Sequence, residues 1–180
     1  MRKIVDSFEV EYRRYKLLAE GAIEQLSEEE LCHPSSSTGN SVATMVWHVA
    51  GNLESRFTDF LTSDGEKPWR HRDREFDRRT ASREELQEKW ERGWAVLFSS
   101  LAELEDGKLD EVVTIRGVEH TVLEALQRSL SHASYHVGQI VFLAKETRGD
   151  QWRYLSIPPG GTAAYNENPT REKPPGNPTA

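Results

Sequence analysis

Residues 123–144 read LEALQRSLSHASYHVGQIVFLA, and their apolar positions decide the fold. Leu123, Leu126, Leu130, Ala133, Val137, Ile140 and Ala144 recur at alternating steps of three and four, which keeps one face of a 3.6-residue helix apolar. That helix is expected to end near Gly149. Working upstream, residues 105–120 lose this period. Asp106-Gly107, Val112-Val113-Thr114-Ile115 and Arg116-Gly117 suit a short hairpin or an extended crossover.

Before that break, Leu86, Trp90, Trp94, Leu97, Leu101 and Leu104 form another helical stripe. Ser82 with Glu85 three residues later reads as its capping box. A further helix carries Val42, Val46, Val49, Leu53, Phe57 and Phe60, capped by Asn40 or Ser41 and stopping before Asp64-Gly65. The first helix has Ile4, Phe8, Tyr12, Tyr15, Ala19, Ala22 and Leu26 on one face. Residues 27–40, with Pro34, a Ser run and Gly39, read as a connection. Residues 66–81, dense in charge and without a period, read as a long surface excursion. Four amphipathic helices with little strand signal predict an all-α four-helix bundle, whose metal and cofactor sites form from side chains on facing helices.

After the last helix, Trp152, Leu155, Ile157 and Tyr165 surround Pro158-Pro159-Gly160-Gly161 and are expected to dock on the bundle. From residue 167 onward four Pro and no large apolar residue predict a disordered tail, so the expected division is a domain over 1–166 and a tail over 167–180.

At 180 residues the chain can bury roughly 70% of its unfolded surface. Apolar residues make up 36% and charged residues 29%, a globular composition. Thirty acidic against 23 basic residues give a net charge of −7, which disfavours nucleic acid and anionic membrane as partners. No stretch reaches the roughly 20 apolar residues of a membrane span, and no apolar run follows the basic N-terminal pair as a signal peptide requires. The single Cys32 rules out an intramolecular disulfide and a Cys-cluster metal site. A reduced, cytoplasmic protein is expected.

One group of residues has the spacing of a known chemistry. His132 and His136 are four apart on the last helix, so their rings share a side. Their row, which includes Ser129 and Gln139, lies about 100° around from the core stripe, at the flank of the bundle interior. His48 bears the same relation to the stripe of its own helix, with Asn52 one turn further on. Three imidazoles on two helices either converge on a divalent ion, leaving its other positions open, or pack as hydrogen-bonded residues in a helix interface. A zincin is excluded, since Ala133 stands where that signature requires Glu.

The segments TMVWHVAGNL and HASYHVGQIVFLAK, in this helical order, resemble the DinB/YfiT-like superfamily. SVATMVWHVAGNLESRFTDFLTSDGEKPWRHRDREF and WRYLSIPPGGTAAYN look like one bacterial subfamily of DinB-like proteins, over nearly the whole chain. The resemblance implies an up-down-down-up bundle, commonly a homodimer, and a ligand triad matching His48, His132 and His136. It also implies a divalent ion, Zn²⁺ or Ni²⁺ foremost and Fe²⁺ or Mn²⁺ as alternatives. Relatives include S-transferases that use low-molecular-weight thiols, a thiol-dependent isomerase and proteins proposed as metal-dependent hydrolases. The leading expectation is therefore metal-assisted transfer of a small thiol to an electrophile. Hydrolysis by a metal-bound hydroxide is the alternative, and a non-enzymatic metal-stabilised bundle the second alternative.

Other residues carry weaker readings. His120 is either a further ligand or proton carrier, or an ordinary residue at the start of the last helix. Asn52 and Gln139 either orient ligands or satisfy backbone groups. Glu54 and Asp59 are assigned to a solvated face, Tyr135 to core or dimer packing, and Trp90 and Trp94 to the core. Cys32-His33 lies in a loop, where adjacent side chains rarely meet, and is not expected to be catalytic. The seven basic and three acidic residues between Lys67 and Arg83 either bind an acidic cosubstrate, pair across a dimer, or form a solvated salt-bridged loop. Gly160-Gly161 lacks the Lys-Ser/Thr pair and following helix of a phosphate loop.

Overall fold

Each long helix after the first starts at a side-chain cap. In the computed structural model, which describes residues 1–170, Ser41 accepts from the Thr44 N–H to open α3 (Val42–Phe57). The Ser82/Glu85 box opens α4 (Arg83–Ala102), and a Thr121/Glu124 box opens α5 (Val122–Arg148). Each cap satisfies orphan N–H groups at a helix start and contributes about 1 kcal/mol. The first helix, α1, spans Lys3–Ile23. Between α1 and α3 the expected connection holds a short helix, α2 (Glu28–Cys32), with its own Ser27/Glu30 capping box. Val112–Ile115 (β1) and Val118–Thr121 (β2) pair antiparallel as the hairpin before α5.

Named contacts give the helix directions. Tyr12 OH donates to Leu126 O, and Gln25 bonds Arg153 twice, so α1 and α5 run parallel. Arg2 reaches Ala102 O while Trp90 donates to Glu20, so α1 and α4 are antiparallel. Gly93 lies against the Ala50 backbone, and Ser100 donates to Phe57 O, so α3 and α4 are parallel. The order is up-down-down-up, as the resemblance implies.

Parallel neighbours cannot be joined by a tight turn, which is why residues 58–82 travel back along α3 before α4 begins. That return path corrects the reading of this segment as a surface excursion. Its start is tied to the hairpin, where the Gly65 N–H donates to Thr114 O. A 3₁₀ turn at Arg72–Phe76 then packs on the middle of α3. Lys67, Arg70 and Glu75 are buried, and Arg79 stacks over Trp47 at 4.2 Å.

The helical stripes reach the core with local shifts. Val5 is buried and Ile4 is 47% exposed, so the α1 stripe begins one residue later than its spacing suggests. The regular helices stop at Phe57 and Ala102, yet Phe60 and Leu104 remain buried just beyond them. Covered by α4, α5 and the return segment, α3 is buried nearly all round. Glu54 is not on a solvated face but bridges to Lys89 and Arg92 of α4. Trp152 and Leu155 dock on the core, and residues 162–167 add a short terminal helix, α6 (Thr162–Glu167). The disordered tail expected from 167 onward falls mainly on 171–180, outside the described residues. No helix among the described residues is long and apolar enough to cross a membrane.

Candidate metal centre

The i,i+4 spacing on α5 brings His132 and His136 to one side, with ring centroids 4.6 Å apart. Antiparallel packing of α3 on α5 then sets His48 opposite them, at 5.2 and 4.7 Å between centroids. His48 and His136 are buried, and His132 is half-buried. One nitrogen from each ring lies within 4.8 Å of the other two. His48 Nε2 and His132 Nε2 face each other at 3.2 Å. Donors bound to one tetrahedral ion at 2.0–2.1 Å stand roughly 3.3 Å apart, which that pair already matches.

Two of the three tautomers are set from behind. His48 Nδ1–H donates to Glu75 Oε2 at 2.7 Å, and His136 Nδ1–H donates to Gln139 Oε1 at 2.8 Å. A neutral imidazole that donates through Nδ1 keeps its lone pair on Nε2, the inward nitrogen. His136 Nε2 is buried without a hydrogen-bond partner. An orphaned buried acceptor of this kind costs about 1–3 kcal/mol unless something else engages it. The donor set thus fits a divalent ion.

The electrostatics keep the two α5 rings neutral. Burial, reinforced by the neighbouring imidazoles and by Arg70 and Arg56, lowers His132 to about 3. Burial likewise lowers His136 to about 4, outweighing the hydrogen bond with Gln139. Burial would raise Glu75, but the hydrogen bonds from His48 and Arg70 prevail and hold it below the ordinary carboxylate range. Arg70 grips Glu75 in bidentate fashion, Nε to Oε1 at 2.8 Å and Nη2 to Oε2 at 2.9 Å. Phe76 packs on the His48 ring, with centroids 4.6 Å apart.

The triad forms part of the wall of a cavity of about 430 Å³, shared with the hairpin and the return segment. A model of the family described as proteins of unknown function, DUF1572, matches residues 1–161. The chain belongs to this family. No curated protein matches it.

For this DUF1572 member the outcome differs among the sequence candidates. His48, His132 and His136 come together, and Gln139 orients one of them. Asn52 lines the cavity but makes no hydrogen bond to the triad among the described residues. His120 lies in β2, its Nδ1 bonded to Val118 O, and takes no part in the cavity wall. Cys32 Sγ accepts from the Ala81 N–H at 3.4 Å, apart from the triad. Tyr135 is 54% exposed and touches both α5 histidines rather than lying in the core.

Sequence reasoning missed Glu75 and Arg70, which sit in a stretch with no period to place them. One signal was present. Gly51 stands inside a helical pattern, where glycine usually has a packing reason. A Cβ at Gly51 would lie 2.5 Å from Glu75 Oε1. Glycine there leaves room for the carboxylate that orients His48.

Proposed function

We propose that this DUF1572 protein is a DinB-like, divalent-metal-dependent enzyme that transfers a low-molecular-weight thiol to a small electrophile. The convergence of three inward-facing imidazole nitrogens beside an open cavity carries the reading. His48, His132 and His136 would hold the ion, with Zn²⁺ or Ni²⁺ suited to an all-imidazole set. When bound, such an ion supplies Lewis acidity that lowers the pKa of a thiol or water. Glu75 and Gln139 fix the tautomers of His48 and His136, which keeps those two Nε2 lone pairs turned toward the ion's position.

Two features favour thiol transfer over the alternatives. The cavity wall contains no Asp or Glu, and Glu75 behind it is fully engaged by His48 and Arg70. No lining carboxylate stands ready as a general base, which favours a thiol, ionising near 8.5, over water. A purely structural metal would sit in a closed site, whereas this triad borders a cavity of about 430 Å³.

The experiment is elemental analysis of untagged protein against His48→Ala, followed by a screen of electrophiles with and without a small thiol. One divalent ion per chain in the parent, almost none in the variant, and turnover only with thiol are expected. Metal in neither protein after reconstitution, or full content in His48→Ala, would remove the site. Turnover without thiol would replace transfer by hydrolysis.

A further inference from the structure

Arginine dominates the charge around this cavity, although the chain as a whole is acidic at −7. Arg56, Arg70, Arg72, Arg116 and Arg128 all line it, and no acidic side chain does. They come from four separate places: α3, the return segment, the hairpin and α5. Three are held by carboxylates. Arg70 is taken up by Glu75, while Arg56 and Arg116 share a single oxygen of Glu66, each at 3.1 Å. Among the described residues the one ion pair of Arg72 is with its neighbour Asp73, at 3.4 Å, and that carboxylate is fully exposed, so the pairing is weak and screened. Arg128 has no ion pair or hydrogen bond among the described residues. Five guanidinium charges thus stand against three carboxylates, in a cleft whose apolar floor includes Phe57 and Ile115. A low-dielectric cleft of one sign focuses its field and concentrates oppositely charged solutes.

We propose that this cavity binds a small oxyanion, a carboxylate or phosphate group, gripped by Arg128 and Arg72. Arg128 is one helical turn before His132 on the same face of α5, with backbone levels about 6 Å apart along the helix axis. Arg72 lines the same cavity from the return segment, its guanidinium 5.0 Å over the Phe76 ring that also packs on His48. The planar guanidinium offers paired N–H donors matched to the two oxygens of a carboxylate or phosphate. Arg56 and Arg116 add to the field while Glu66 keeps them in place. The oxyanion's role as the handle of a substrate rests on the enzymatic reading above; its binding does not, because the arginines are independent of any metal.

The test is calorimetric titration of inorganic phosphate, succinate and, as a cationic control, putrescine into chelator-stripped and zinc-loaded protein. Metal content is measured separately. One oxyanion per chain is expected in the stripped protein, with affinity that falls as salt rises. Arg128→Gln and Arg72→Gln, both exposed changes whose folding is checked by circular dichroism, should each weaken it by about tenfold. Arg14→Gln, on the exposed side of α1, should leave it unchanged. Preference for phosphate or for succinate identifies the kind of group. The proposal fails if neither anion saturates at concentrations on the order of 10 mM. It fails equally if both cavity variants bind like the parent, or if anions bind only the zinc-loaded protein. Oxyanion binding without metal uptake would sink the metal reading and leave this one standing.

Discussion

His48 Nδ1 and Glu75 Oε2 meet at 2.7 Å across 27 residues of chain, and both side chains are buried. Arg70 closes on the other edge of the same carboxylate, so cation, carboxylate and imidazole form one buried line. The arrangement aims the Nε2 lone pair of His48 at the other two histidines. Glu75→Gln should therefore lower divalent-metal affinity by about 10–100-fold. It also strips a buried arginine of its partner, a loss of about 3–5 kcal/mol. Adding Arg70→Met should recover stability but not affinity, read by chelator competition and urea unfolding. Parental affinity in Glu75→Gln would show that this carboxylate does not orient the ligand.

Gly51→Ala probes the same contact from the helix side. Alanine is favoured over glycine within a helix by about 1 kcal/mol, so α3 itself should not suffer. The added Cβ would stand 2.5 Å from Glu75 Oε1 and must displace it. Metal affinity is expected to fall in the same direction as in Glu75→Gln. A more stable protein with parental affinity would refute the link.

The metal-stripped protein should lose stability with acid in a defined window. The folded state holds His132 at about 3 and His136 at about 4, against 6.5 for a free imidazole. Between about pH 6.5 and about pH 3 the unfolded chain binds protons that the folded one does not, from both histidines down to about pH 4 and from His132 below it, so stability rises with pH there. Above about pH 6.5 this contribution is flat. Glu75, held low by His48 and Arg70, adds a further loss as pH falls through and below the ordinary carboxylate range. Urea unfolding across this range measures the slope, and His132→Asn with His136→Asn should flatten it. An equal slope in the double variant would assign the effect elsewhere.

Two other glycines in long helices should respond oppositely to alanine. A Cβ at Gly93 would lie 2.7 Å from Ala50 Cα and O, backbone atoms that cannot step aside, so Gly93→Ala should cost roughly 1–3 kcal/mol. At Gly138, on α5, a Cβ meets nothing within 4 Å, and Gly138→Ala should stabilise by about 0.5–1 kcal/mol. Denaturation midpoints at neutral pH decide both. Similar shifts in the two variants would mean that the α3–α4 approach is looser than described.

Helices, caps and the facing of His132 and His136 were legible in the sequence because they are local. A period of 3.6 residues, a Ser or Thr three residues before Glu, and a four-residue spacing act within one or two turns. The Ser82/Glu85 box and the stripes of α4 and α5 accordingly stand where the spacing puts them. Tertiary structure decided which part of the return segment lies on α3, and therefore that Glu75 and Arg70, rather than Asn52, support His48. That segment has no period, and its path follows from joining two parallel helices, a property of the whole bundle. The same packing gathers five arginines from four places onto one cavity of an acidic chain. Side chains so far apart in sequence become neighbours only when the helices close, and no spacing along the chain encodes their meeting.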